Sequence, residues 1–345
     1  MSFITTSRGW KTKVVAVVAA IAAVFGVMQL ANTEKAAANQ EILRPGCDWD
    51  LYQYWVQYCQ VWSPSMNRNV AVHIKPAARG GNGGLYLLDG IHARDQYNNW
   101  IWGGNAPRVF EHDNVTLVAP TGGKSGFYTD WNRPAISAEF GVRIYKYETF
   151  LTQELPAYLE QHFGVSRFNN AVAGISMGAS AALSLAANHR DQFRHASSFS
   201  GYLQLSNPVM ATAVAASQVV NGGFDPTAMW GPAVPASPER IRNDPAKLLD
   251  QMQGLPMFLS SATGVPSNWM DPASLFADPA TLPNVMTGAT MEALSRASTI
   301  MFEGQARAAG LNPVVNYSPT GIHSWQLWEH DLNIAKPHML AALGA

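Results

Sequence analysis

Short apolar runs alternate with longer segments of helical periodicity along most of this chain. Apolar runs closed by Gly, Pro or Asp are typical of buried strands, and apolar positions three or four residues apart indicate helices. The alternation predicts an α/β fold, with a mostly parallel central sheet flanked by helices. The predicted strands are Val70–Ile74, Leu85–Leu88, Val115–Ala119, Asn170–Ala173, Pro256–Ser260 and Val314–Tyr317, and the predicted helices are Tyr147–His162, the Ala-rich segment from Ser176 to about His189, Gly288–Ala309 and Gln326–Leu343.

The regular pattern fades between residues 203 and 250. This stretch holds Asn221-Gly222-Gly223, Trp230-Gly231-Pro232 and several further prolines, which are signals for turns and loops. We interpret it as an irregular insertion over the site, because no second set of strands and helices accompanies it. The sequence therefore predicts a single catalytic domain over residues 62–345.

The first 38 residues have the pattern of a targeting segment. Arg8, Lys11 and Lys13 precede an uncharged run from Val14 to Thr33, and Ala36-Ala37-Ala38 offers small residues for cleavage. An uncleaved membrane anchor is the alternative, because the run approaches the roughly 20 apolar residues that span a bilayer. Either interpretation predicts an extracytoplasmic protein, secreted or in the cell envelope, with membrane association if the leader remains.

Composition narrows the classes of function. The 23 basic and 24 acidic residues give a formal net charge of -1, which excludes the basic surface of a nucleic-acid-binding protein. No residues have the spacing of a metal-ligand cluster, and we expect no metal and no organic cofactor. The 11 Trp residues suit a wide cleft that stacks sugars or holds lipid, although each one can equally be a core residue.

Both cysteines, Cys47 and Cys59, lie in an aromatic segment over residues 39–61. In an oxidising exterior they would pair, and closing so short a loop would stabilise the fold by roughly 3 kcal/mol. Two free buried thiols are the alternative.

The segment Gly174-Ile175-Ser176-Met177-Gly178 has the G-x-S-x-G spacing, and it stands between a predicted strand and a predicted helix. In that context the serine occupies a sharp turn above the sheet, where the amides of the helix N-terminus favour a developing oxyanion. Ser176 is therefore the candidate nucleophile.

A serine hydroxyl needs a base, and the base needs an acid that orients it. His323 is the candidate base because it follows a strand and a Gly-containing turn near the C-terminus; His92 is the one rival near the site. Asp271, after the strand Pro256–Ser260, and Glu292, in the next helix, are equal candidates for the acid on the sequence pattern.

Two backbone N–H groups should bind the oxyanion. Met177 directly follows the nucleophile, and Ile91 follows the early strand in Leu88-Asp89-Gly90-Ile91. Asp89 would then either face the cleft or serve only as a turn-forming aspartate before glycine.

Several ordered motifs from about Trp62 to the C-terminus resemble the antigen 85 family of mycolyltransferases and their corynebacterial relatives. The resemblance implies an α/β-hydrolase fold and transfer of long branched acyl chains from trehalose monomycolate to another trehalose ester or to cell-wall arabinogalactan. The motifs that carry it are Ser63-Pro64-Ser65-Met66, Tyr86-Leu87-Leu88-Asp89-Gly90, Phe127-Tyr128-Thr129-Asp130-Trp131, Tyr147-Glu148-Thr149-Phe150-Leu151-Thr152, Gly174-Ile175-Ser176-Met177, Met229-Trp230-Gly231-Pro232 and Gly321-Ile322-His323-Ser324-Trp325.

The resemblance also implies roles for individual residues. Counted back from the His-Ser-Trp motif, the family's catalytic glutamate falls on Glu292. Asp89 and Trp325 would contact trehalose, and Ser298 is a weaker match to a sugar contact.

The chain departs from the family pattern at several positions. His92 stands where the family has an arginine, with Arg94 near enough to substitute for it. Gly103 aligns with an asparagine of the family's sugar site. The family's disulfide near Pro134 to Val142 is missing, and the pair Cys47 and Cys59 would replace it.

These observations lead to the hypothesis of a double displacement through an acyl-enzyme on Ser176. The expected partners are trehalose mycolates and cell-wall glycolipid or arabinogalactan. An exported carboxylesterase or thioesterase would differ only in passing the acyl group to water, and a non-catalytic surface binding protein is the other alternative.

Overall fold

The structure, a computed structural model, describes residues 40–139, 141–267 and 281–345. The leader over residues 1–38 and the candidate acid Asp271 lie outside the described residues. Within the described ranges, no helix is long and apolar enough to cross a membrane.

The described chain forms one large sheet of nine strands and a separate two-stranded sheet made of β6 and β7. The order in the large sheet is β1-β2-β3-β5-β4-β8-β9-β10-β11. The strands are β1 (Cys47–Trp49), β2 (Gln57–Ser63), β3 (Arg68–Lys75), β4 (Gly83–Leu88), β5 (Val115–Pro120), β6 (Ala135–Ser137), β7 (Gly141–Arg143), β8 (Asn170–Ile175), β9 (Phe193–Phe199), β10 (Met257–Ala262) and β11 (Val314–Ser318).

The strands from β5 to β11 in the large sheet pair in parallel, and β1, β2 and β3 continue the sheet in antiparallel fashion. Every residue of β4, β5, β8 and β10 is buried, as a parallel sheet with both faces covered requires.

Helices cover both faces of this sheet. A short π-helical turn, Phe150–Glu154, connects α3 to α4, and a 3₁₀ turn, Pro245–Lys247, follows α7. The helices are α1 (Asn99–Trp102), α2 (Ala106–Val109), α3 (Tyr147–Thr149), α4 (Leu155–Phe163), α5 (Met177–Asn188), α6 (Pro208–Gly222), α7 (Pro238–Arg242), α8 (Thr281–Ala308) and α9 (Trp325–Leu343).

The core is divided by the sheet into two layers. Tyr86 and Leu88 of β4 pack in one cluster with residues of α4, α5 and α8, whereas Leu85 and Leu87 pack in the other with residues of α9. This alternation follows from the opposite directions of successive side chains in a strand. The predicted α/β-hydrolase architecture is confirmed.

The insertion expected over residues 203–250 is more regular than its sequence indicates. It contains the 15-residue helix α6, whose N-terminus is capped by the side chain of Asn207 and whose C-terminus ends at the left-handed Gly223. The segment is rich in Ala and Val all round, so its apolar periodicity is weak. Its capping residues are the signal that the sequence analysis missed.

The described part of the aromatic segment over residues 39–61 is continuous with the large sheet. The boundary expected between residues 61 and 62 falls inside β2, because β1 and β2 extend the large sheet at its antiparallel edge. Cys47 and Cys59 lie opposite each other in the β1–β2 pair and are joined by a disulfide.

Replacing both cysteines, in Cys47→Ser/Cys59→Ser, should lower the free energy of unfolding by about 3 kcal/mol, because the bond restricts the unfolded chain. Denaturant unfolding of the oxidised protein and of the variant measures the difference. Adding a reductant should lower the stability of the wild type to that of the variant and leave the variant unchanged; equal stability of oxidised wild type and variant would refute the expectation.

Candidate active site

The nucleophile candidate Ser176 occupies the tight turn between β8 and α5. Its backbone has φ 51° and ψ -116°, a conformation that non-glycine residues rarely adopt. A Cβ atom at Gly178 would lie 2.5 Å from the carbonyl oxygen of Asp89, and one at Gly174 would lie 2.2 Å from that of Gly178. The two glycines are therefore required by close backbone contacts, and the turn has the form of a nucleophile elbow.

His323 and Glu292 form a buried hydrogen-bonded pair, with 2.9 Å between Nδ1 of the histidine and Oε2 of the glutamate. Glu292 comes from the middle of α8, and His323 comes from the loop between β11 and α9. A carboxylate accepts hydrogen bonds, so Nδ1 carries the proton and Nε2 is left as an acceptor. This is the arrangement that orients a histidine as a general base.

The second oxygen of Glu292 is fixed by two further donors. Its Oε1 accepts from the Ser200 hydroxyl at 2.9 Å and from the Ala262 amide at 2.7 Å. The Ser200 hydroxyl in turn accepts from the indole N–H of Trp328 at 3.0 Å. The Glu292 carboxylate is thereby held against the ends of β9 and β10 and against α9.

The serine and the histidine belong to the same end of the sheet. The Ser176 amide donates to the Phe199 carbonyl at 2.9 Å, and the next residue, Ser200, contacts Glu292. Among the described residues, Nε2 of His323 is buried and has no hydrogen-bond partner. The two groups are therefore not hydrogen-bonded to each other in this structure, and Nε2 remains open to accept a proton.

The two candidate oxyanion donors flank the serine. Met177 is the first residue of α5, where a backbone N–H lacks a partner within the helix. Ile91 lies in the loop after β4, and its carbonyl accepts from the Ser125 amide at 3.0 Å, which holds the loop in place. Both Ile91 and Met177 line the same cavity as Ser176.

That cavity has a volume of about 220 Å³ and is almost entirely apolar. It runs from Ser176 between the insertion helix α6 and the helix α8 that carries Glu292. The residues that line it are Ile91, Phe127, Ser176, Met177, Tyr202, Met210, Ala213, Val214, Ser217, Met291 and Leu294. An apolar cavity that opens at a serine nucleophile is suited to an alkyl chain.

Comparison with known proteins shows the family of this chain. A model of the Esterase family matches residues 63–339. Ag85B of Mycobacterium avium, named as a diacylglycerol acyltransferase/mycolyltransferase, is 35% identical over 343 residues, which cover 98% of this chain and 96% of that relative. Ag85A of Mycobacterium leprae, which carries the same description, is 34% identical over 336 residues, with coverage of 95% and 92%.

The chain belongs to the Ag85 mycolyltransferase family.

Solved structures agree with this membership. MPT51 (FbpC1) of Mycobacterium tuberculosis superposes with a TM-score of 0.69 at 27% identity, over 84% of this chain and 98% of that one. An S-formylglutathione hydrolase from Agrobacterium tumefaciens superposes with a TM-score of 0.59 at 15% identity, over 88% and 100% of the two chains. The second likeness shows that the fold extends beyond the Ag85 family.

Asp89, a sugar contact on the Ag85 pattern, is 3% exposed and bound by its own chain. Its carboxylate accepts from the Gly90 amide at 2.7 Å and from the amide and side chain of Asn99 at 2.9 and 2.8 Å. Burial raises the pKa of the carboxyl, against the opposing effect of these donors. The structure therefore gives Asp89 the role of fixing the loop that carries Ile91, whereas its contact with sugar remains a prediction.

Ser298 is also occupied by its own chain. Its hydroxyl accepts from the Leu203 amide at 2.8 Å and donates to Gln204 Oε1 at 2.7 Å, so it fastens α8 to the start of the insertion. This geometry does not favour the expected sugar contact, because the donor and one acceptor position are used internally.

Trp325, by contrast, stands close to the pair of catalytic candidates. Its ring packs edge-on against Trp328, which packs in the same way against His323. A Cβ atom at Gly103 would lie 2.7 Å from the Trp325 ring, so the indole takes the space that a side chain at position 103 would need.

His92 and Arg94 are exposed in the loop after β4. The His92 ring is only partly buried, and this partial burial, with the positive charges of Lys124 and Arg94 nearby, lowers the pKa of His92. The Arg94 guanidinium lies over the Tyr97 ring, 5.3 Å from its centroid. No catalytic contact of His92 is present among the described residues, so the rival base gains no support.

Several residues that complete the site were not singled out by the sequence. Ser200 and Tyr202 come from the loop after β9, a strand whose polar composition hides it, and Met210 and Val214 come from α6. The run Asn207-Pro208 at a helix start was the available signal for α6.

Replacing the acid, in Glu292→Gln, should lower kcat for hydrolysis of p-nitrophenyl butyrate by about 10⁴-fold, because the imidazolium that forms on His323 loses its countercharge. Asp271→Asn is the matched comparison, since Asp271 is the other candidate from the sequence and should leave kcat close to the wild-type value. The reverse ranking of the two variants would transfer the role to Asp271.

Proposed function

We propose that this chain is an extracytoplasmic mycolyltransferase. It moves a mycolyl or corynomycolyl group from trehalose monomycolate to a second trehalose monomycolate or to cell-wall arabinogalactan. One observation carries the proposal: an elbow serine opens onto an apolar cavity beside a buried Glu–His pair. Membership of the Ag85 family supports the choice of substrate.

In the first half-reaction, His323 Nε2 accepts the proton of the Ser176 hydroxyl as the oxygen attacks the ester carbon of the donor. The N–H groups of Ile91 and Met177 stabilise the negative charge that develops on the carbonyl oxygen. The imidazolium then protonates the departing trehalose oxygen. The acyl group remains on Ser176, and the Glu292 carboxylate stabilises the transient charge on His323.

In the second half-reaction, a hydroxyl of the acceptor sugar gives its proton to His323 Nε2 and attacks the acyl carbon. The bond to Ser176 breaks, and the proton returns to the serine oxygen. Nothing in this sequence of steps requires a redox change or an additional reactant. The distinction from an esterase lies only in whether a sugar hydroxyl or water occupies the acceptor position.

We assign the acyl chain of the donor to the apolar cavity. Ser176 and Met177 stand at one end, and the walls are side chains of α6 and α8. Because α6 belongs to the insertion, the insertion is part of the lipid site as well as a cover over the sheet.

Removing the nucleophile, in Ser176→Ala, should abolish the formation of trehalose dimycolate and the covalent acyl adduct. The test incubates protein that begins at Asn39 with trehalose monomycolate and follows lipid products by chromatography and the protein by intact mass. Wild type that makes only free acid would identify an esterase. Product formation by Ser176→Ala would show that another residue carries the acyl group.

Narrowing the cavity, in Ala213→Trp, should lower kcat/KM for long-chain p-nitrophenyl esters by about tenfold, since a filled pocket rejects the methylenes it cannot hold. The acetyl ester should be hydrolysed as before. Ala216→Trp is the control, because this residue is exposed on the same helix and does not line the cavity. An equal loss on short and long esters would argue against an acyl site between α6 and α8.

A further inference from the structure

The tip of the β1–β2 hairpin has an unusual backbone. Gln53, Tyr54 and Trp55 are consecutive non-glycine residues, and all three have positive φ, at 71°, 48° and 63°. Such conformations cost free energy and persist only where the surrounding structure imposes them. Here the disulfide closes the base of the hairpin, and the Asp50 amide donates to the Val56 carbonyl at 2.9 Å across the tip. The chain therefore holds this tip in a costly, fixed shape.

The strained tip forms one wall of a second cavity of about 540 Å³, which shares no lining residue with the apolar cavity at Ser176. Trp49 and Trp55 remain 43% and 38% exposed, and their rings meet edge to face at 6.3 Å between centroids. We call this cavity and its lining the hairpin platform. Its residues are Trp49, Asp50, Gln53, Tyr54, Trp55 and Glu111.

The chemistry of the hairpin platform selects among ligands. The exposed indole rings and the half-buried Tyr54 ring offer flat apolar faces. The Glu111 carboxylate and the Gln53 amide offer acceptors and donors for hydroxyl groups, whereas the two oxygens of Asp50 are held by His73 and by the Tyr52 amide. The described lining residues include two acids and no Lys, Arg or His, which disfavours phosphates and other anions. The volume greatly exceeds that of a single ammonium head group. A neutral saccharide satisfies both the flat apolar faces and the polar edges.

The hairpin platform is tied to the helix that follows His323. The Tyr52 hydroxyl donates to Asn105 Oδ1, and Asn105 Nδ2 donates to Glu329 Oε1 at 2.8 Å. Glu329 lies one turn after Trp325 in α9. Two hydrogen bonds therefore connect the hairpin with the helix whose first residue stands beside the catalytic candidates.

Aromatic rings also continue from the hairpin platform toward His323. Tyr52 packs against Tyr54 at 5.7 Å and against the half-exposed Trp102 at 5.0 Å between centroids. Trp102 precedes Gly103, which lies directly under the Trp325 ring. From Trp325 the series passes to Trp328 at 5.1 Å and to His323 at 4.9 Å.

We propose that the hairpin platform binds a neutral polysaccharide and that the bound polysaccharide extends along Tyr52, Trp102 and Trp325 toward His323. The second part rests on the proposed function, and it makes the acceptor a sugar polymer that occupies subsites well beyond a disaccharide. The first part, saccharide binding by the platform, stands independently of catalysis.

The binding test uses water-soluble arabinogalactan as the probe and isothermal titration calorimetry on the intact chain from Asn39, with the disulfide formed. Trp49→Ala/Trp55→Ala should bind about tenfold more weakly, as the loss of large aromatic anchors predicts. Trp62→Ala is the control, because Trp62 is 54% exposed on β2 and does not line the cavity. Trp49→Phe/Trp55→Phe keeps flat rings and should restore most of the affinity.

If Trp49→Ala/Trp55→Ala fails to fold, Glu111→Ala removes a hydroxyl partner without altering the rings and should weaken binding in the same direction. Equal affinity of the platform variants and the wild type would overturn the proposal. Wild type that binds choline but no arabinogalactan would overturn it as well.

Transfer assays separate this proposal from the proposed function. With trehalose monomycolate as donor, Trp49→Ala/Trp55→Ala should lower kcat/KM for arabinogalactan by about tenfold, while dimycolate formation and p-nitrophenyl butyrate hydrolysis stay unchanged. An equal loss of kcat/KM on every substrate would show that the hairpin platform does not contribute to binding the acceptor. Wild type that transfers to no acceptor would overturn the proposed function, and the calorimetry would still decide whether the platform binds saccharide.

Discussion

The arrangement of the site depends on the hydrogen bonds that the buried Glu292 carboxylate accepts. Glu292 lies in the middle of a long helix, is fully buried, and receives hydrogen bonds from Ser200, Ala262 and His323. These donors follow or end three different strands, β9, β10 and β11. A charged carboxylate buried without such partners would strongly destabilise the folded state. The Glu292 carboxylate therefore aligns the ends of these strands while it holds the imidazole of His323 in one orientation.

Close packing around the strained Ser176 is a second constraint on the site, and it is steric rather than electrostatic. Gly178 allows α5 to touch the backbone of the loop that begins at Asp89, and that loop carries Ile91. The same loop is held from the other side, since the Tyr128 hydroxyl accepts from the Asp89 amide at 2.8 Å. Both candidate oxyanion donors thus depend on the contact between one helix start and one loop, and the site needs little rearrangement to bind a developing charge.

Much of the fold was predictable because its central strands are continuous apolar runs, and both the elbow and the His-Ser-Trp motif occupy short local sequences. The pattern of apolar and polar positions left Asp271 and Glu292 as equal candidates for the acid, because periodicity carries no information on which carboxylate reaches His323, and only the resemblance to the family favoured Glu292. Strand β9 was not predicted because serines and a histidine interrupt its apolar pattern. His195 and Ser197 are hydrogen-bonded to each other in the core. Helix α6 was not predicted because apolar residues occur on all of its sides, which leaves no helical periodicity. The structural roles of Asp89 and Ser298 could not be predicted, because they depend on hydrogen-bond partners that only the folded chain brings to these side chains.

The contact between Gly103 and Trp325 has a consequence for how relatives of this protein diverge. Because the indole fills the space of a side chain at position 103, the two positions are epistatic: a larger residue at 103 is compatible only with a displaced or smaller residue at 325. A side chain at 103 would clash with the indole in its present position, whereas a smaller residue at 325 would leave space beside Gly103. A relative that keeps tryptophan at 325 but has asparagine at 103 would therefore have to hold its indole in a different position from the one seen here.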